Sequence, residues 1–200
     1  VGMRKGLTKY GDDEFALFLR KSFIKGAGYG DEALSRPVVG IINTGSDFNP
    51  CHGNAEELIE RVKAGVEASG ALPMAFPTIS LHESFSFPTS MYLRNLMAMD
   101  TEEMIGALPM DAVVLIGGCD KTVPAQLMAA ASADVPAIQL VTGPMLSGTV
   151  EDQRVGACTD CRRFWGDYRG GRIDADKIKQ IEGRLVPTAG TCGVMGTAST

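Results

Sequence analysis

Apolar and polar positions alternate between two periods along this chain. Between residues 14 and 25, Phe15, Leu17, Phe18, Leu19, Phe23 and Ile24 recur at helical spacing and predict an amphipathic helix. Pro37 to Ile42 is a short β-branched run, the mark of a buried strand. Asn54, with Glu57 three residues on, predicts a capped helix start, and Gly70 its end. Residues 72–80 read as a second strand, weakened by Pro73 and Pro77. Met91 to Met99 and Thr101 to Ala107 read as two helical pieces. Ala112 to Ile116 predicts a third buried strand, and Pro136 to Val141 a fourth. Between them, Pro124 to Ser132 predicts an Ala-rich helix with proline in its first turn. Residues 143–172 are Gly-rich and read as irregular, and Asp174 to Glu182 as a polar helix. No internal repeat or low-complexity segment stands out.

Short apolar strands alternating with helices predict an α/β fold: a parallel sheet with helices on both faces, in three α/β/α layers. In such sheets ligands gather beyond the carboxyl ends of the strands. The chemistry-bearing residues obey this rule. Cys51 follows the first predicted strand, His82 and Glu83 the second, and Cys119, Asp120 and Lys121 the third.

Three cysteines lie in three separate turns: Asn49-Pro50-Cys51-His52, Gly117-Gly118-Cys119-Asp120-Lys121 and Gly190-Thr191-Cys192-Gly193. Their wide spacing is neither a disulfide framework nor the close pairing of a zinc ribbon. Three thiolates from distant turns suit a metal cluster with one coordination position left open, and iron–sulfur clusters are normally held by four. Cys119 precedes a helix N-terminus, where backbone amides favour a thiolate. Glu83 and Asp120 are oxygen donors of the kind Mg²⁺ takes. Lys121 joins such a site only as a carbamate, because an ammonium cannot ligate a cation. Cys158 and Cys161 form a Cys-x-x-Cys pair without a second pair to complete a zinc site, and read as part of a structural loop near the active site. His52 and His82 could donate hydrogen bonds to the ligand residues, but a lone loop histidine more often has no such role. Met91, Met97, Met99, Met104, Met110 and Met128 read as core filler.

Composition narrows the partners. The chain has 200 residues, 44% of them hydrophobic, enough for one large domain or two small ones. A net charge of -5 without a basic cluster argues against nucleic acid or an anionic membrane as the main partner. No apolar stretch reaches bilayer length, and residues 1–6 do not resemble a signal peptide. Five cysteines, an odd number, read as reduced thiols in the cytoplasm. The small residues from Gly196 to Thr200 look like the start of a helix or ligand loop, which predicts that the chain is the N-terminal part of a longer enzyme.

From about Arg36 to Thr200 the chain resembles the dihydroxy-acid and sugar-acid dehydratase family. The likeness rests on Asn43-Thr44 through Cys51-His52, on Pro77-Thr78-Ile79-Ser80, and on Gly117-Gly118-Cys119-Asp120-Lys121-Thr122-Val123-Pro124. It continues in Ala189-Gly190-Thr191-Cys192 with Met195-Gly196-Thr197-Ala198. The resemblance implies that Cys51, Cys119 and Cys192 ligate an iron–sulfur cluster; three cysteines suit [2Fe–2S] or [4Fe–4S], with [2Fe–2S] favoured. It implies Mg²⁺ on Glu83, Asp120 and a carbamylated Lys121, and a serine base in a C-terminal domain that this chain lacks. Residues 1–35 would be an N-terminal helical segment and 36–200 the cluster- and Mg²⁺-binding domain. Glu83 and the Cys158–Arg163 run resemble the aldonic-acid subgroup. The implied activity is a hydro-lyase that converts a sugar acid such as arabinonate or xylonate to a 2-keto-3-deoxy acid. The alternatives are the branched-chain dihydroxy-acid dehydratase and a non-catalytic metal-binding domain. The expected partners are the small sugar acid and further copies of the chain, as a homodimer or homotetramer.

Overall fold

The computed structural model describes residues 1–7 and 9–192, the Cys158 side chain excepted; the expectations for residues 193–200 lie outside them. Helix α1 spans Asp13–Gly26, and Asp12 caps it by accepting the Phe15 amide at 2.9 Å. A single turn, α2 (Asp31–Leu34), leads into β1 (Val38–Asn43). There follow α3 (Ala55–Ala68), β2 (Leu72–Pro77), α4 (Arg94–Ala107), β3 (Ala112–Gly117), α5 (Thr122–Ala133) and β4 (Ala137–Val141). A hairpin of β5 (Gly148–Val150) and β6 (Gln153–Val155) precedes α6 (Ala157–Arg169) and α7 (Ala175–Leu185).

The first four strands form one parallel sheet in the order β2-β1-β3-β4. The period-2 alternation within β1 and β3 sends their side chains to two different cores. On one face Val38, Ile42, Leu72, Phe76, Val113 and Leu115 pack with Leu17 of α1 and Ile105 of α4. On the other, Ile41 and Ile116 meet Ala55 and Ile59 of α3. Helices therefore cover both faces, as expected for an α/β fold. Met3, Leu17 and Leu34 join the first of these cores, so residues 1–35 pack against the same sheet as the rest. A smaller core of Val155, Phe164 and Ile181 joins the hairpin to α6 and α7. No described helix is long and apolar enough to cross a membrane.

Several expectations are corrected. Strand β2 ends at Pro77 rather than residue 80, and its two prolines are tolerated because it is a sheet edge. The two helical pieces around Asp100 are one helix, preceded by a 3-10 turn at Ser90–Leu93. Asp100 does not break it, because its carboxylate reaches out to accept the Ile79 amide at 2.8 Å. Asn54 makes no capping bond; its side-chain amide donates to the Thr142 carbonyl at 2.9 Å. Residues 143–172 contain the hairpin and α6, so Cys158 and Cys161 lie on a helix and not in a loop. Met97 and Met110 are core residues, but Met91, Met99 and Met128 are exposed.

Candidate functional site

Five loops meet at the carboxyl edge of the sheet. After β1, residues 50–52 form a 3-10 turn in which Cys51 is fully buried. After β3, Gly117 and Gly118 carry the chain into Cys119, whose carbonyl accepts the Thr122 and Val123 amides as α5 begins. After β4, the Thr142 hydroxyl donates to the Cys51 carbonyl at 2.7 Å. The Cys192 turn docks on both neighbours. Gly190 N–H donates to the Pro50 carbonyl at 3.2 Å, and Thr191 N–H to the Gly143 carbonyl at 2.7 Å. Gly190 sits at φ 121°, and a Cβ there would come within 2.8 Å of the Met145 amide nitrogen. Only glycine fits that backbone at that distance.

The strand ends beneath are fixed by buried polar groups. The Ile116 carbonyl accepts the Thr44 hydroxyl at 2.9 Å and the Gln126 amide at 2.8 Å. His52 is 1% exposed and links two of the cysteine turns. Its Nε2 accepts the Cys119 backbone amide at 3.1 Å, which leaves the ring proton on Nδ1, facing the Thr44 carbonyl at 3.0 Å. Burial pushes the His52 pKa down to about 4, so the ring is neutral and serves as a strut.

This strut carries a pH prediction for the metal-free chain. The unfolded state binds a proton on His52 near pH 6.5, whereas the folded state refuses it until about pH 4. Stability is therefore lost as pH falls through that window, by about 3 kcal/mol. Urea midpoints measured from pH 7 to pH 4 check this, and His52→Gln should reduce the slope, leaving the contributions of groups such as His82 and Glu83. An equal slope in that variant would overturn the assignment.

The structure brings the three predicted cysteines together. Cys51 hydrogen-bonds both Cys119 and Cys192, and these bonds, with burial, push its thiol far up. The same bond from Cys51 pulls the Cys119 pKa down, against the cost of burial. His82 joins them: one ligand atom each from Cys51, His82 and Cys192 lie within 4.8 Å of one another. A bond to Cys192 raises the His82 pKa against the cost of burial, helped by the negative charge of Cys119, Cys192 and Asp120.

The predicted oxygen donors flank the thiols. Glu83 opens a 3-10 turn (Glu83–Phe85), and its Oε2 accepts the Thr89 hydroxyl at 3.0 Å and the Ser90 amide at 2.9 Å as well as the Ser90 hydroxyl. The Ser90 hydroxyl does most to hold this carboxylate below its ordinary pKa, and Lys121 adds to it. Among the described residues Oε1 accepts nothing, so it is available to a ligand. Lys121 is ion-paired with Asp120, whose Oδ1 also lies 3.6 Å from Cys119 Sγ. Burial disfavours the Lys121 charge, but Asp120, Glu83 and Cys119 together outweigh it and raise its pKa.

Cys161 lies elsewhere, lining an apolar groove with Phe164, Ile178 and Ile181 between α6 and α7. His52 and His82 are the two residues whose part the sequence reading weighed and set aside. The signal for each was its place directly beside a candidate ligand, Cys51 for His52 and Glu83 for His82.

A thiol-rich site beside a carboxylate pair, at the carboxyl edge of a parallel sheet, defines an α/β domain in which Cys51, His82 and Cys192 form a group with metal-ligand spacing. The family described as dihydroxy-acid/6-phosphogluconate dehydratase N-terminal matches residues 36–200. The chain belongs to this family. It is 42% identical to an L-arabinonate dehydratase of Rhizobium leguminosarum bv. trifolii, over 92% of this chain and 32% of that protein. It is 42% identical to a 6-deoxy-6-sulfo-D-gluconate dehydratase of Pseudomonas putida, over 85% and 29% respectively. A dihydroxy-acid dehydratase of Clostridium kluyveri is 35% identical over 90% of this chain and 33% of its own length. The chain thus spans about a third of the length of the curated relatives it matches.

Proposed function

We propose that this chain is the cluster- and Mg²⁺-binding part of a hydro-lyase that dehydrates an aldonic acid to a 2-keto-3-deoxy acid. The observation that carries the reading is the convergence of three thiols beside Glu83, Asp120 and Lys121. The donor set fits an iron–sulfur cluster. Three sulfurs this close cannot all be thiolates without a cation, as the upward push on Cys51 reflects. Cys51, Cys119 and Cys192 would hold the cluster, [2Fe–2S] in type, and Glu83 and Asp120 would hold Mg²⁺.

When bound, the cluster supplies an iron of Lewis-acid character and Mg²⁺ an anchor for the substrate's carboxylate and hydroxyl oxygens. The chain's own groups prepare that site. His52 orients the Cys119 turn through its amide, and the three bonds on Glu83 Oε2 turn Oε1 free for the metal. Lys121 would complete the oxygen set as a carbamate: its neutral amine forms an N–C bond to CO₂ and releases a proton. Asp120 and Glu83 stand close enough to act on that nitrogen.

Relatives that act on sugar acids match at higher identity than the dihydroxy-acid dehydratase does, which favours an aldonate over a branched-chain dihydroxy acid. The test is a 2-keto acid assay of the intact protein, purified without oxygen, on arabinonate, xylonate and 2,3-dihydroxyisovalerate. Faster turnover of the aldonates supports the reading, and turnover of the branched acid alone overturns it. Asp120→Asn should lower turnover by more than about 100-fold with iron content unchanged. Full activity of this variant at limiting Mg²⁺ would remove Asp120 from the metal site.

A further inference from the structure

We propose that His82 is a hydrogen-bond donor to the sulfur of Cys192, and that through this bond it sets the reduction potential and the electrophilicity of the cluster. The inference rests on the reading above, that Cys51, Cys119 and Cys192 hold an iron–sulfur cluster.

Position comes first. His82 ends the loop after β2, and its ring stands within 4.8 Å of the ligand atoms of Cys51 and Cys192. The loop is fixed, because the His82 carbonyl accepts the Phe85 amide at 3.1 Å and the Ser86 hydroxyl at 2.8 Å. The Phe85 ring lies beside the imidazole, with centroids 6.0 Å apart.

The tautomer decides the role. His82 Nδ1 accepts the Ser84 backbone amide at 3.2 Å. A backbone N–H is always a donor, so Nδ1 carries the lone pair, and the proton of the neutral ring is on Nε2. A nitrogen that carries a proton does not ligate iron. Ligation through Nε2 would move the proton to Nδ1, against the Ser84 N–H, donor facing donor. The second nitrogen is thus committed to donation. An iron-bound thiolate carries no proton, so the hydrogen bond between ring and sulfur runs in one direction, from Nε2 to Sγ.

His52 provides the contrast. There Nε2 accepts from the Cys119 amide, so that ring presents a lone pair to its cysteine turn and cannot donate to it from that atom. One histidine holds a turn in place and the other reaches the sulfur itself. Hydrogen bonds to the sulfurs are among the determinants of cluster potential. A donor draws electron density from the thiolate, which makes reduction easier and the iron it holds a stronger Lewis acid.

The test compares the intact holoprotein with His82→Ala and His82→Gln, all purified without oxygen. Iron and sulfide contents should be equal in the three. The potential, from a dye-mediated titration followed by electron paramagnetic resonance, should move negative in His82→Ala. It should return part of the way in His82→Gln, whose amide N–H restores a donor. The iron–thiolate stretching frequency in the Raman spectrum should move in the same graded order. An unchanged potential in His82→Ala would overturn the proposal. So would loss of iron from that variant together with a strong nitrogen coupling in the wild-type spectrum, which would make His82 a ligand. Wild-type protein without iron or sulfide would instead overturn the cluster reading itself, and with it this inference.

Discussion

Serine in place of Cys51, Cys119 or Cys192 should strip the intact protein of its cluster, with iron falling to background and the visible absorbance lost. Each of the three sulfurs is fixed by a different part of the fold. Cys51 is held through the Thr142 hydroxyl, Cys119 through His52, and the Cys192 turn through Pro50 and Gly143. Cys161, the other cysteine whose side chain is described, faces the groove between α6 and α7 rather than this site. Cys161→Ser is therefore expected to keep its iron, and serves as the control. The outcome is read by iron and sulfide analysis on protein purified without oxygen. Equal iron loss in the control would sink the assignment and return attention to the Cys-x-x-Cys pair on α6.

A methyl group at Gly118 should have the second largest effect. A Cβ there would run into the Thr142 hydroxyl and lie 2.8 Å from the Cys51 carbonyl oxygen, the two partners of the bond that joins these loops. Neither gives way freely, because one is backbone and the other belongs to a short, fully buried contact. Overpacking of this kind costs about 1–3 kcal/mol. For a chain of this size that is a fall in the unfolding midpoint of roughly 2–12 °C. Gly118→Ala should also displace Cys119 and weaken iron binding. Gly65→Ala is the reference, since Gly65 lies in α3 with nothing near the added methyl, and alanine there should leave stability equal or raised. Equal midpoints for the two variants would show that the loops after β1, β3 and β4 are less tightly joined than described.

The sheet was legible because its strands are short and apolar, β1 and β3 also β-branched, and each is followed by a helix or a loop with punctuation. The cysteine turns were legible for the same reason, as Gly-Gly-Cys and Pro-Cys directly after strands can be read without knowing what they touch. What the chain hides is whatever tertiary partners decide. Asp100 looks like a break in α4 until its acceptor role toward Ile79 is seen. Asn54 looks like a cap until Thr142 claims its amide. Helix α6 was masked by the glycines around it although Cys161, Phe164, Trp165 and Tyr168 recur at helical spacing, and β5 and β6 are three residues each, too short to alternate visibly. The part of His82 rests on which ring nitrogen meets Ser84, and spacing along a chain says nothing about that.

The docking of the Cys192 turn gives the site an order of assembly in time. Cys51 and Cys119 follow strands that are direct neighbours, so the first two sulfurs meet as soon as β1 and β3 pair. The third follows β4, the hairpin and two more helices, and its turn is secured by bonds to loops that have already formed. Closing so long a loop costs only slightly more than closing a short one, so the delay is set by synthesis rather than by entropy. A ribosome must finish this whole stretch before Cys192 can join the other two. On the proposed reading, the three-sulfur site closes only in a chain whose sheet is complete.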